Sequence, residues 1–371
     1  MLTSSPHSPS RIVVSSLFPA DYQQAREEFL AAADLAGCQT SSWPIKAPGC
    51  RQETLAIDVA RWGSASTTHW LLITSGIHGT EGPFGSAVQL GFLRMLVEKD
   101  QRNIGIMFLH AINPFGYSWT RRANENNVDL NRNFLLPGEE FRGAHPLFHY
   151  VYQTFDPHRR TRFYENFYLR AWWLIVRHSK AALKSSLPVG QYDYPQGLFF
   201  GGHSPEPSQI LLQQLPDWMP QAREITHLDF HTGLGRWADY RLLIDVAEDH
   251  RDAQWFRSWA PARNVECASK NHTAYQARGS LGPWMKQVLF PGIHYRYAAA
   301  EFGTYRAERV LHALVSELQT HYSCPPHHPR YRRAKRRVSE TFVPASRYWR
   351  TTAARQGIAL CHQSWLAMHQ H

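Results

Sequence analysis

His78 and Glu81 stand three residues apart in Gly76-Ile-His-Gly-Thr-Glu-Gly82. In a turn or a first helical turn, that spacing brings both side chains to one side. There a neutral imidazole and a carboxylate can reach one Zn²⁺, while the glycines keep the backbone close and adaptable. A capping glutamate beside an ordinary buried histidine gives the same local pattern. His231, in Leu228-Asp-Phe-His-Thr-Gly-Leu-Gly235, is the candidate third ligand. Two histidines and one glutamate form a common catalytic zinc set that leaves one position open for water, whose pKa the cation lowers. Asp229, two residues before His231, shares its strand face; it reads either as a carboxylate behind the histidine or as a loop cap. Glu301, in Ala298-Ala-Ala-Glu-Phe-Gly-Thr304, is the candidate general base. Its alternative is a carboxylate at the positive end of a following helix.

Residues 113–134 (NPFGYSWTRRANENNVDLNRNF) add Arg121, Arg122 and Arg132 with Asn124, Asn131 and Asn133. Guanidinium forks bind carboxylates bidentately, and preorganised donors stabilise a developing oxyanion. An asparagine-rich loop held by its own side chains is the other reading.

The elements around these clusters are strand–loop–helix units. Residues 20–36 are patterned as an amphipathic helix, with Tyr22, Ala25, Phe29 and Ala33 near one face. Residues 54–60 alternate as a strand, and the apolar run 69–75 (HWLLITS) suits a buried one. A helix is expected from Pro83 to Glu98, then a buried strand over 104–112. The stretch 145–190 is aromatic-rich and reads as helical. Strands are expected at 225–230, 241–247 and 294–300, a helix from Tyr305 to Thr320, and a further helical tail over 340–371. The recurring pattern is α/β. In open α/β sheets, ligands sit in the loops beyond the carboxyl ends of strands, which is where the clusters fall.

Bulk properties narrow the classes. The chain has 371 residues, 43% of them hydrophobic, enough for a large core. No uninterrupted apolar stretch of about 18 residues exists, so no membrane partner is expected. The N-terminus lacks the charged start and apolar h-region of a secretory signal. Cys38, Cys50, Cys267, Cys324 and Cys361 are odd in number and widely spaced, which argues against a disulfide framework and a Cys-type zinc site; a cytoplasmic location is the simplest expectation. The formal charge of +10 is compatible with nucleic acid or with anionic substrates. Residues Arg330 to Arg337 (RYRRAKRR) hold six of the basic residues. They read as a solvated basic loop, or as a phosphate-contacting surface, although no nucleic-acid-binding motif accompanies them.

The ordered set His78/Glu81, Asn113-Pro-Phe-Gly116, Asn131-Arg-Asn-Phe134, His231 and Glu301 resembles the zinc carboxypeptidase superfamily, the carboxypeptidase A-like metallopeptidases. The longer forms GIHGTEG, RRANENNVDLNRNF and DFHTGLG are most similar to a bacterial branch of unknown-function domains near aspartoacylase and succinylglutamate desuccinylase. The resemblance implies a three-layer α/β fold, a twisted mixed eight-stranded sheet between helices. It implies one catalytic domain over 20–371 after an N-terminal segment 1–19, with a helical insert at 145–190 and a basic, helical extension from about 325. It places one Zn²⁺ on His78, Glu81 and His231, the general base at Glu301, and a substrate carboxylate on Asn131 and Arg132. Arg122 is preferred for polarising the scissile carbonyl, and its neighbour Arg121 is assigned to substrate binding. Departures from the pattern are the short interval between Arg122 and Asn131, the aromatic insert, and the lack of an assignable capping tyrosine, for which Tyr275 is a candidate. The expected activity is hydrolysis of an amide bond beside a carboxylate-bearing group of a small peptide. The alternatives are deacylation of an N-acyl amino acid and, from another class, a non-catalytic basic nucleic-acid-binding protein.

Overall fold

The computed structural model describes residues 16–97, 104–158, 167–187, 189–268 and 277–369. Its centre is an eight-stranded mixed sheet in the order β1-β2-β4-β3-β5-β8-β6-β7. The strands are β1 Gln39–Pro48, β2 Thr54–Trp62, β3 His69–Ser75, β4 Ile104–His110, β5 Glu224–Thr232, β6 Tyr240–Ile244, β7 Val265–Cys267 and β8 His294–Phe302. Strands β4, β3, β5 and β8 run parallel through the middle, and antiparallel pairing brings in β2 on one side and β6 on the other. Parallel strands are covered on both faces, which is why 69–75 and 104–110 read as unbroken apolar runs.

Alternation along β3 feeds two cores. Leu71 and Ile73 enter one cluster with Phe29 and Ala33 of helix α1 (Tyr22–Leu35), Phe84 and Val88 of α2 (Gly82–Leu96), and residues near the C-terminus. Trp70 and Leu72 enter the other, beside Val128, Leu130 and Phe134 of the asparagine-rich segment. A short helix α3 (Pro114–Ser118) opens that segment, with Asn113 as its N-cap. The aromatic region forms α4 (Pro146–Thr154), α5 (Phe167–His178) and α6 (Lys180–Ser186). Phe155, Phe167 and Leu174 pack there against Val315, while Leu169, Trp172 and Val176 are exposed. Helices α7 (Pro207–Leu212), α8 (Leu215–Trp218), α9 (Arg251–Trp259) and α10 (Leu281–Trp284) complete the two layers before the C-terminal hairpin.

That hairpin is α11 (Ala307–Ser323) and α12 (Pro329–Phe342), followed by α13 (Arg347–Met368). Here the sequence expectation is corrected: Arg330 to Arg337 are helical, not a loop. Tyr331, Ala334 and Val338 recur at helical spacing and are buried, so the arginines are the outer face of an amphipathic helix. Strand β6 also ends at Ile244, short of the expected 247. Among the described residues, no helix is long and apolar enough to cross a membrane.

Candidate metal centre

Three of the parallel strands deliver the chemistry at their carboxyl ends. After β3, Gly76 turns the chain at φ 68°, a conformation that glycine adopts freely. Gly79 then passes so close to the next loop that a Cβ would lie 1.9 Å from the Gly116 carbonyl carbon. Asn113 secures the opposite side: its Oδ1 accepts from the Gly116 N–H at 2.8 Å and its Nδ2 donates to the Arg122 carbonyl at 3.1 Å. The Asn-Pro-x-Gly motif is thus a clamp that holds the His78 loop beside the arginine segment. On the sheet itself, β5 and β8 pair His231 directly with Glu301.

His78, Glu81 and His231 converge. Glu81 Oε1 lies 3.0 Å from His78 Nδ1, and Oε2 lies 3.2 Å from His231 Nδ1. One donor atom from each residue falls within 4.8 Å of the others. The outer imidazole nitrogens are also engaged: His78 Nε2 is 3.1 Å from Asp129 Oδ1 and 2.8 Å from Arg122 Nη2, and His231 Nε2 is 2.7 Å from Asp229 Oδ2. His231, with Nδ1 turned inward and Nε2 backed by Asp229, is oriented as a divalent cation requires of its histidines. His78 also turns Nδ1 inward, while its Nε2 meets both Asp129 and, closer, the Arg122 guanidinium, which can only donate. All three converging residues are buried. The Oε2 of Glu301 is buried with no hydrogen-bond partner among the described residues. The donor set fits a zinc-type cation.

Charges in this pocket act on one another at close range. Burial favours a neutral Glu81, but the charges and hydrogen bonds of His78 and His231 overcome it and hold the carboxyl well below the usual range. Burial likewise opposes charge on His231, yet Asp229 and Glu81 raise its imidazole well above the ordinary value. Asp129 is buried too, and Arg122, His78 and Arg132 keep it ionised. Glu301 behaves differently: burial, with Glu81 adding, pushes it up to about 7 against the pull of His231, His78 and Arg122.

Residues 18–356 match the family described as "Protein of unknown function (DUF2817)". The chain belongs to this family. No curated protein matches the DUF2817 chain. Among solved structures, it is similar to thrombin-activatable fibrinolysis inhibitor, at 13% identity and a TM-score of 0.52, over 100% of this chain and 78% of that one. The bovine inhibitor, solved with a tick carboxypeptidase inhibitor, gives 13% identity and a TM-score of 0.50 over 95% and 98% of the two chains. The DUF2817 chain therefore has the zinc carboxypeptidase-like fold, with its mixed eight-stranded sheet between helices.

Within that fold, the arginines part company. Arg122 stays at the centre, donating through Nε to Asp129 Oδ2 at 2.8 Å, with Nη1 3.6 Å from Glu81 Oε1 and the guanidinium 5.4 Å from the Phe199 ring. Arg121 does not join it. Its buried guanidinium meets Glu317 at 3.2 Å, Asn127 at 2.8 Å and His321 at 2.9 Å. Arg121, expected to bind substrate, has its donors in the contact with α11 and the Asn127 loop. Asn131 Oδ1 accepts from the Leu281 N–H at 3.0 Å, and Arg132 is buried beside Asp129. Asn124 and Asn133 brace the loop, to Glu206 and to the carbonyls of Gly201 and Ser204. Tyr275 lies outside the described residues. Asp129 and Phe199 are the site residues that the sequence reading missed. Asp129 sits inside the long motif, two residues before Asn131, and only the fold shows which imidazole it meets.

Proposed function

We propose that the chain is a zinc-dependent hydrolase of the carboxypeptidase type, cleaving an amide bond beside a carboxylate-bearing group. The observation that supports it is the set of two inward Nδ1 atoms and one carboxylate, with Asp229 behind His231 and a buried, unpartnered oxygen of Glu301 alongside. His78, Glu81 and His231 would hold the cation, which supplies Lewis-acid charge and an acidified water. Glu301, poised near neutrality, takes the proton of the attacking water at its free oxygen and returns it to the leaving nitrogen. Arg122 presents its guanidinium, oriented by Asp129, to the oxygen that gains charge. Asn131 and Arg132 fix the substrate carboxylate and so the position of the scissile bond. Residues 20–371 act as one catalytic unit, with the aromatic helices as an insert.

The test starts with metal content. About one zinc per wild-type chain is expected, lost in His78→Ala. The zinc-loaded protein is then offered dipeptides and N-acyl amino acids. Cleavage of dipeptides supports the carboxypeptidase reading, and turnover of N-acyl amino acids alone moves the assignment to a deacylase. A loaded protein that turns over neither class overturns the reading.

A further inference from the structure

Behind His231 lies a line of buried polar groups that the proposed reaction does not use. Thr74 of β3, His227 and Asp229 of β5, and Tyr295 of β8 are all at most 1% exposed. Tyr295 Oη lies 2.8 Å from His227 Nδ1, and His227 Nε2 lies 2.7 Å from Thr74 Oγ1. Thr74 Oγ1 is 2.6 Å from Asp229 Oδ1, and Asp229 Oδ2 is 2.7 Å from His231 Nε2.

Proton counting gives this line one direction. The Thr74 hydroxyl donates its single proton to Asp229 Oδ1, and His231 Nε2 faces the other oxygen, Oδ2. With that proton spent, Thr74 can only accept from His227, which must carry its own proton on Nε2. His227 Nδ1 is then a bare acceptor for the Tyr295 hydroxyl. Burial, with His231 adding, pushes the His227 imidazole down to about 4 against the pull of Asp229, so it holds a single ring proton at neutral pH. Tyr297 adds a weaker donor to Asp229 Oδ2 at 3.4 Å.

We infer that Thr74, His227 and Tyr295 are positioning residues: a one-way hydrogen-bond line that holds Asp229 in place and keeps the His231 proton on Nε2, so that Nδ1 is the nitrogen that gives up its proton and turns its lone pair to the cation. The inference rests on the metal-centre reading proposed above. Three neighbouring parallel strands each supply a link, so the sheet register sets the ligand's orientation. A merely packed polar core would not require a unique proton on every member.

Two measurements test it, one of them independent of metal. In the metal-free protein at pH 7, ¹⁵N NMR should place the His227 ring proton on Nε2; a proton on Nδ1 overturns the line. Zinc affinity by chelator competition should then fall roughly tenfold in Thr74→Val, which keeps the shape but removes the hydroxyl, and recover in Thr74→Ser. Tyr295→Phe should show a smaller loss. A folded Thr74→Val protein that binds zinc as the wild type does overturns the inference. If Thr74→Val does not fold, unchanged zinc affinity in Tyr295→Phe overturns it instead. A wild-type protein that binds no zinc while His227 shows the Nε2–H form overturns the metal reading and, with it, the inferred role of the line.

Discussion

At the scale of single residues, neighbours in sequence diverge in role. Arg121 and Arg122 are adjacent, yet one is tied to Glu317 and the other faces the His78 cluster. Arg121→Ala should cost about 3 kcal/mol of stability, because it removes a buried charge from the Glu317–Lys335 group; the denaturant midpoint reads this. Arg122→Ala takes the guanidinium from buried Asp129, so it too should lower the midpoint, and it should in addition lower kcat by about 10²-fold or more. A folded Arg122→Ala protein with near-normal kcat, or a kcat loss as large in Arg121→Ala, would contradict this division. Glu301→Gln should retain zinc and lose about 10²–10⁴-fold in turnover, read by metal analysis beside a rate assay; near-normal turnover would remove Glu301 from the role of base. The residue types were legible in the sequence because metal chemistry needs a short list of them. Which arginine faces the centre was not, since both guanidinium groups suit a carboxylate and only the path of α11 decides.

Among the elements, the buried strands were the most legible. Strand β3 spans the apolar run 69–75 that the sequence marks, because a strand covered on both faces must be apolar throughout. Strand β1 escaped notice. It contains Pro44 and Pro48, and Trp43 is its one buried residue; an edge strand tolerates proline and exposure, so it carries no periodic signal. The basic run misled because its charges outnumber the apolar residues that fix it as a helix. Helix α12 matters to the site through Phe342, whose ring would lie 3.1 Å from a Cβ placed on Gly233, two residues past His231. Phe342 is 1% exposed, and Phe342→Ala should destabilise by about 3–5 kcal/mol. Reversing the charge of exposed Arg332 or Arg336 should change stability by less than about 0.5 kcal/mol. Thermal melts of the three variants separate a packing helix from a charge-dependent one.

For the whole molecule, the ordered motifs place the candidate site at the strand ends, while the buried histidines behind it gave no sequence signal, since a histidine's burial depends on what the sheet stacks around it. His110 and His227 are both fully buried, and burial drives their imidazoles down to about 3 and about 4. The folded chain refuses protons that the unfolded chain takes near pH 6.5. Their contribution is therefore complete above that pH and is lost as pH falls toward 4. At pH 5 each should have given up roughly 2 kcal/mol. Denaturant midpoints that stay flat between pH 7 and pH 5 would contradict this.

The pairing of Glu81 with His231 joins positions 150 residues apart in the chain. Closing so long a loop is slow and entropically costly, and nothing short of the aligned β3–β5 register brings the three donors together. An unfolded chain offers at most a His-x-x-Glu fragment. A cation that needs all three donors would thus arrive after the fold is complete and would act as a latch: it would slow opening of the native sheet while leaving the rate of first folding almost unchanged.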